Sequence, residues 1–155
     1  MRLSAPFLVS LALPLAALAQ GAAFSGLQFE SSDPIEITAD QLTVDQATGE
    51  AAFEGNVIAA QGPLRLGAGR LSANYDGEEV REITATGQVT LTNGELAAEA
   101  AQAVYNVPGA EVVMTGDVLV TQQGNALAGE RLVIDLERGT AQMDGRVRSV
   151  LTPNQ

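Results

Sequence analysis

Apolar and polar residues alternate along most of the chain after residue 34, which predicts β-strands that each bury one face. The alternation is clear in residues 71–75, 118–120 and 132–136. Turn signals such as Asp76-Gly77 and Asn93-Gly94 separate these runs every few residues. Short strands joined by frequent turns predict an all-β fold.

A longer repeat lies under the alternation. The tripeptide Gly-x-Val begins at residues 55, 87, 116 and 145. A second frame, aligned as residues 39–46, 68–75, 98–105 and 129–136, runs between these tripeptides. About four units of roughly 30 residues therefore fill the chain, and units of this size must stack to bury an apolar face. Glycine ahead of valine predicts a bend or bulge at the same place in each unit.

The segment from residue 95 to residue 107, ELAAEAAQAVYNV, conflicts with this pattern in composition. Its alanine and glutamate content favours a helix. Its register with the other three copies favours a strand, and we predict a strand.

The first 19 residues have the three parts of a secretory signal peptide: Arg2, an apolar run over residues 7–18 and small residues at Ala17 and Ala19. The apolar run is shorter than the roughly 20 residues that a spanning helix needs. We expect cleavage near Ala19, with a cut after Ala23 as the alternative. The predicted organisation is a signal peptide (1–19), a flexible leader (20–33), one β-domain (34–152) and a tail (153–155).

The amino-acid composition excludes several classes of catalytic and metal-binding site. The chain of 155 residues has 19 Asp+Glu, 8 Lys+Arg (all arginine), no His, no Cys and a net charge of −11. Without His, Cys and Lys there is no Ser-His-Asp triad, cysteine nucleophile, ordinary zinc site or Schiff-base lysine. The acidic charge argues against nucleic-acid binding. We therefore expect no catalytic residues, metal or cofactor.

Carboxylates leave one enzymatic alternative open. Asp40, Glu99 and Glu130 recur at one position of the second frame and are expected to point outward. Asp45 and Asp76 stand beside turn signals, where aspartate commonly accepts hydrogen bonds from its own backbone. Stacked β-folds can host carbohydrate-cleaving carboxylates, so a lyase or hydrolase is the rival class.

The stretch PIEITADQLTVDQATGEAAFEGNVIAAQGPLRLGAGRLSANY (34–75) carries a family resemblance. It resembles the OstA-like domain family of the lipopolysaccharide-transport protein LptA. Four features carry the resemblance: the alternating strand before ADQLTVD, the FEGNV segment, the QG turn and the LRLGAGRLSANY segment. The similarity extends over about residues 34–151.

The resemblance implies an elongated, V-shaped β-jellyroll of many short antiparallel strands, without catalysis or cofactors. It also implies a periplasmic protein whose interior carries lipopolysaccharide, through its lipid A part, from the inner to the outer membrane. The implied protein partners are an inner-membrane LptC-like protein, an outer-membrane LptD-like protein and further copies stacked head to tail. An LptC-like relative without its anchor, or a structural self-assembling exported β-stack, are the alternatives.

The inward positions of the middle strands are the candidate walls of an apolar groove for acyl chains. They are mostly aliphatic, and each buried CH₂ contributes about 0.8 kcal/mol. A thin, closed sandwich of interdigitating small residues is the alternative. The groove candidates are Ile37, Leu42, Val44, Phe53, Val57, Leu66, Leu71, Ile83, Val89, Leu91, Val112, Met114, Val118, Val120, Leu132, Ile134 and Met143.

The first and last strands are candidate partner surfaces, because a stack of strands leaves an unpaired edge at each end. We predict edge strands over residues 34–39 and 146–152, directed toward the membrane-anchored partner and the outer membrane respectively. The edge candidates are Ile35, Ile37, Val147, Ser149 and Leu151.

Two arginine pairs are candidate phosphate contacts. Arg65 and Arg70 flank one turn, and Arg146 and Arg148 are predicted to share one strand face. Guanidinium groups bind phosphate through paired hydrogen bonds. A solvated surface role is the simpler interpretation of both pairs.

Overall fold

The computed structural model describes residues 33–153 as ten β-strands, with no helix in that range. The all-β prediction is confirmed, and so is the strand predicted for the alanine-rich segment, which forms β6. The strands are β1 (Ile35–Thr38), β2 (Gln41–Asp45), β3 (Glu50–Gln61), β4 (Leu64–Asp76), β5 (Glu79–Thr92), β6 (Leu96–Asn106), β7 (Glu111–Gln122), β8 (Asn125–Asp135), β9 (Thr140–Asp144) and β10 (Arg148–Val150).

All ten strands join one open antiparallel sheet. The order is β1-β3-β4-β5-β6-β7-β8-β10, while β2 also pairs with β3 and β9 also pairs with β8. The strands β1 and β2 thus lie end to end along β3, and β9 and β10 lie end to end along β8. Each pair of short strands corresponds to one long strand that is interrupted at its middle.

Every long strand bends at its middle, where the pairing register shifts. In β3 the shift falls between Glu54 and Val57, and Gly55 and Asn56 there have φ angles of 79° and 48°. The other three Gly-x-Val tripeptides show the same pair of left-handed residues, with glycine φ angles of 81°, 85° and 82°. The bend predicted at Gly-x-Val is confirmed. Glycine at the first of these two positions avoids the strain that a Cβ atom brings in this φ region, whereas the second position holds Asn56, Gln88, Asp117 or Arg146.

The residues that lie closest to the bend glycines show that the predicted alignment of the third repeat is wrong. A Cβ atom added at Gly55, Gly116 or Gly145 would lie 2.6 Å from a side-chain atom of Asp40, Ala101 or Glu130 respectively. The counterpart of Asp40 in the third unit is therefore Ala101, and the predicted equivalence of Glu99 is wrong. The third frame begins at residue 100 instead of 98. An alanine-rich run slips by two residues without changing which face is buried, so its sequence did not fix the register.

The bends divide the sheet into two half-sheets that fold against each other as a V. Half-sheet 1 contains β1, β10 and the strand halves on the same side of the bends. Half-sheet 2 contains β2, β9 and the remaining strand halves. Half-sheet 1 comprises residues 35–38, 57–61, 64–68, 89–92, 96–100, 118–122, 125–129 and 148–150; half-sheet 2 comprises residues 41–45, 50–54, 70–76, 79–86, 102–106, 111–115, 131–135 and 140–144.

The predicted signal peptide (1–19) and nearly all of the predicted leader (20–33) lie outside the described residues. A search of residues 33–153 finds no helix with the length and apolar character to cross a membrane.

Candidate functional site

The inner face of half-sheet 2 consists of two continuous rows of apolar side chains. Directly paired residues in successive strands form each row, so the register itself aligns them. The first row is Leu42, Phe53, Leu71, Ala85, Ala103, Met114, Leu132 and Met143; the second is Val44, Ala51, Ala73, Ile83, Tyr105, Val112, Ile134 and Ala141.

The inner face of half-sheet 1 has a matching row beside the valines of the bends. Val57, Val89 and Val118 are each at most 1% exposed. Together the two half-sheets bring all of the predicted groove residues onto one inward surface. The row of half-sheet 1 is Ile37, Ala59, Leu66, Leu91, Ala98, Val120, Leu127 and Ser149.

The two half-sheets face each other with an offset along the stack of strands. A cavity of about 40 Å³ shows this, because it lies between Ala59 and Leu66 of half-sheet 1 and Ile83, Tyr105 and Val112 of half-sheet 2. The first strands of half-sheet 1 therefore cover the middle strands of half-sheet 2. Among residues 33–153, none lies opposite the first strands of half-sheet 2.

The uncovered part of half-sheet 2 exposes large apolar side chains at the N-terminal end. Leu42 and Val44 are 54% and 60% exposed, although they belong to the same rows as fully buried residues. With Phe53 and Tyr75 they line an open pocket of about 470 Å³. A cluster of exposed apolar side chains indicates a binding surface more often than single exposed apolar residues do.

The C-terminal end also leaves apolar side chains uncovered. Val147, the valine of the fourth Gly-x-Val tripeptide, is 50% exposed, and Leu151 is 73% exposed. Both are predicted edge residues, and Ser149 is exposed beside them. β10 is shorter than predicted because Gly145 and Arg146 form the fourth bend and the strand starts only at residue 148.

We call the open side of the V, opposite the bends, the mouth. A chain of hydrogen-bonded polar groups closes the mouth next to the small cavity. The Tyr105 hydroxyl donates to Gln61 Oε1 at 3.3 Å, and Gln61 Nε2 donates to the Asp33 carbonyl oxygen at 2.9 Å. Gln61 is 5% exposed and Tyr105 is 8% exposed. Burial raises the pKa of the Tyr105 hydroxyl above its ordinary value. The phenol is therefore neutral over the physiological pH range.

Charged groups stay outside the apolar interior. Every arginine within the described range is exposed, including both predicted phosphate pairs. Arg70 pairs with Glu54 on the outer face, while Arg65 donates to the carbonyl oxygen of Gly62 at 2.7 Å at the mouth. Arg146 lies in the bend and is 3.6 Å from Glu130, so it does not share a strand face with Arg148 as predicted. The left-handed backbone at Arg146 is the reason.

The carboxylates serve local structure at several positions. Asp45 Oδ1 accepts hydrogen bonds from the Ala47 and Thr48 backbone, as predicted for an aspartate at a turn. Asp40 instead accepts from the Asn56 side chain at 2.9 Å across the first bend. Between residues 33 and 153 no group of three or more acidic side chains is arranged to hold a metal ion.

Sequence reasoning missed the polar contact at the mouth. Gln61 belongs to a turn signal, Gln61-Gly62-Pro63, which indicates exposure, yet its side chain is the one buried polar side chain among the described residues. No signal in the sequence identifies it, because its burial depends on which strand of the opposite half-sheet lies across from it.

The comparisons with known proteins agree with this architecture. Residues 36–140 match the family described as "LptA/(LptD N-terminal domain) LPS transport protein". The chain belongs to this family.

Individual relatives support the assignment. An uncharacterized protein of Rhizobium meliloti is 30% identical over 153 residues, covering 89% of this chain and 82% of the relative. The lipopolysaccharide export system protein LptA of Escherichia coli K12 is 27% identical, covering 81% of this chain and 75% of LptA.

A solved structure confirms the fold. The crystal structure of LptH, the LptA-homologous periplasmic component of the lipopolysaccharide transport device of Pseudomonas aeruginosa, superimposes with a TM-score of 0.71 at 23% identity. The match covers 78% of this chain and 96% of LptH. The β-jellyroll predicted from the resemblance is therefore confirmed.

Proposed function

We propose that this protein binds lipopolysaccharide in the periplasm and carries it from the inner to the outer membrane along its apolar groove, without catalysis. The observation that carries the proposal is the inner apolar face, which runs through the molecule and is uncovered at both ends. An apolar surface that ends in solvent on each side can continue into a neighbouring molecule. The transport role named for the family supports this assignment.

The groove suits acyl chains better than sugars or phosphates. Its walls are aliphatic rows, so affinity would come from many methylene groups at about 0.8 kcal/mol per buried CH₂. The phosphates would bind the exposed arginines at the mouth or on the outer faces, where guanidinium groups can form paired hydrogen bonds. The lipid A part would therefore enter the groove while the polar part stays outside.

The two ends would bind partners of the same fold. β1 and β10 lie at opposite ends of the sheet order, and their outer backbone groups can accept a further strand. We assign the β1 end to an inner-membrane LptC-like protein and the β10 end to an outer-membrane LptD-like protein. Copies of this chain would stack head to tail between them. The periplasmic location rests on the predicted signal peptide and on the periplasmic relative.

A structural self-assembling β-stack is the second candidate function. The small volume of the cavity between the half-sheets, about 40 Å³, favours it, since a well-packed interior needs no ligand. Such a protein would polymerise through its ends without binding lipid.

Single-cysteine labelling separates the two candidates, because the chain has no cysteine of its own. Leu66→Cys places a spin label at the cavity, and Ile58→Cys places the matched control on the outer face, where Ile58 is 50% exposed. Lipopolysaccharide should shield the label at position 66 from a water-soluble paramagnetic quencher and leave the label at position 58 unchanged. Equal effects at both positions, or none at either, would contradict lipid binding in the groove.

A further inference from the structure

The contact between Tyr105 and Gln61 joins the two half-sheets where the V would open. Gln61 is the last residue of β3 and Tyr105 is the second-last residue of β6. In the sheet these strands are separated by β4 and β5, so the hydrogen bond spans the mouth of the V instead of following the strand ladder. It is therefore a contact that opening of the V must break.

The space beneath this contact is too small for an acyl chain. The cavity of about 40 Å³ has walls formed by Ala59, Leu66, Ile83 and Leu91. One water molecule needs about 10–15 Å³ of such space, so this volume holds only a few water molecules. A lipid chain can occupy this part of the groove only after the half-sheets separate, and Tyr105 must then leave Gln61.

The chemistry of the contact suits reversible opening. A buried amide in an apolar interior is costly unless it is hydrogen-bonded, and Gln61 is bonded to Tyr105 across the mouth and to the Asp33 carbonyl oxygen on its own side of the V. One neutral hydrogen bond of this kind shifts an equilibrium by roughly 2- to 12-fold, a small enough amount for lipid binding to overcome.

We propose that Tyr105 and Gln61 form a latch that keeps the part of the groove beneath them closed until lipid binds, and that the Asp33 carbonyl holds the Gln61 side chain in place. The inference rests on the proposed function, because the latch would control entry of acyl chains into that same groove. Asp33 lies two residues before β1, so the latch also connects the mouth to the edge strand with which a partner strand would pair.

The test uses Tyr105→Phe, which removes one hydroxyl group, with Tyr75→Phe as the matched control. Tyr75 is the other tyrosine, at 37% exposure. Spin labels at Pro63→Cys and Pro108→Cys, on exposed turns of the two opposing half-sheets, report the width of the mouth. Tyr105→Phe should lengthen the distance between the labels and accelerate uptake of purified lipid A by roughly 2- to 12-fold. Tyr75→Phe should leave the distance between the labels unchanged.

A second variant guards against a folding defect. Gln61→Met removes the same hydrogen bond from the opposite side and should widen the mouth as well. If lipid A binds but both latch variants match the wild type in distance and uptake rate, the latch is overturned. If lipid A binds to none of the proteins, the proposed function fails, while the distance measurement still decides whether the mouth is latched.

Discussion

Leu71 and Leu42 occupy the same inner row of half-sheet 2, yet Leu71 is fully buried and Leu42 is 54% exposed. The same contrast separates Tyr105, at 8%, from Tyr75, at 37%. The difference arises because half-sheet 1 covers the middle strands and does not reach the first strands of half-sheet 2. One continuous apolar face thus stabilises the fold in its covered part and offers a binding surface in its uncovered part.

The largest expected effect is a loss of stability when the covered part loses volume. Leu71→Ala should lower the free energy of unfolding by about 2–5 kcal/mol, because it leaves a cavity in a packed interior. Leu42→Ala should lower it by less than about 1 kcal/mol, as for an exposed position. Urea denaturation of both variants measures the difference. Equal losses would contradict the division of the groove into covered and uncovered parts.

The second-largest expected effect is a loss of stability when a glycine in a central bend is replaced, compared with the same replacement in a turn at the mouth. Gly116 and Gly77 both have left-handed φ angles, 85° and 65°, so alanine at either position costs roughly 1–2 kcal/mol. A Cβ atom at Gly116 would also lie 2.6 Å from Ala101 Cβ, whereas the space around Gly77 is open. Gly116→Ala should therefore cost an additional amount of about 1–3 kcal/mol, as expected for overpacking.

Thermal or urea unfolding of both glycine variants provides this measurement. Ala101→Gly in the Gly116→Ala background should recover the additional loss, because it removes the overlapping atom. No recovery would show that the bends do not approach each other as described.

The smallest expected effect is an alkaline pH dependence that comes from Tyr105 in the covered part of the groove. Burial raises the pKa of Tyr105, so the folded state keeps a proton that the unfolded state releases near pH ~10. Stability should be unaffected below that pH and should fall as pH rises toward the folded-state pKa, by at most about 1.4 kcal/mol per pH unit. The absence of lysine, histidine and cysteine keeps this alkaline range almost free of other titrations.

Unfolding free energies measured between neutral and alkaline pH test this expectation. Tyr105→Phe should flatten the alkaline slope. A full slope in Tyr105→Phe would show that another group causes the dependence.

The strands and bends could be predicted from sequence because both depend on local pattern. Period-2 alternation identifies strands, and glycine ahead of valine identifies the left-handed bends. The third frame failed because alanine repeats at 98, 100 and 103 fit more than one register. The alternation alone placed Leu42 and Val44 in the groove beside Leu71 without showing that they are uncovered.

The missing information is the offset between the half-sheets. It depends on which distant strands face each other across the V, and no local pattern reports that. For the same reason the sequence did not reveal Gln61 and Tyr105 as a contact across the mouth. These two features determine where lipid or a partner could reach the inner face.

The most direct test of the central claim is site-specific photocrosslinking in intact cells at Leu42 and Thr43. These neighbours in β2 are both exposed, but Leu42 lies on the inner face and Thr43 on the outer face. Transport along the inner face predicts lipopolysaccharide adducts at position 42 and none at position 43. Adducts at position 43 alone, at both positions equally, or at neither would contradict transport along the inner face.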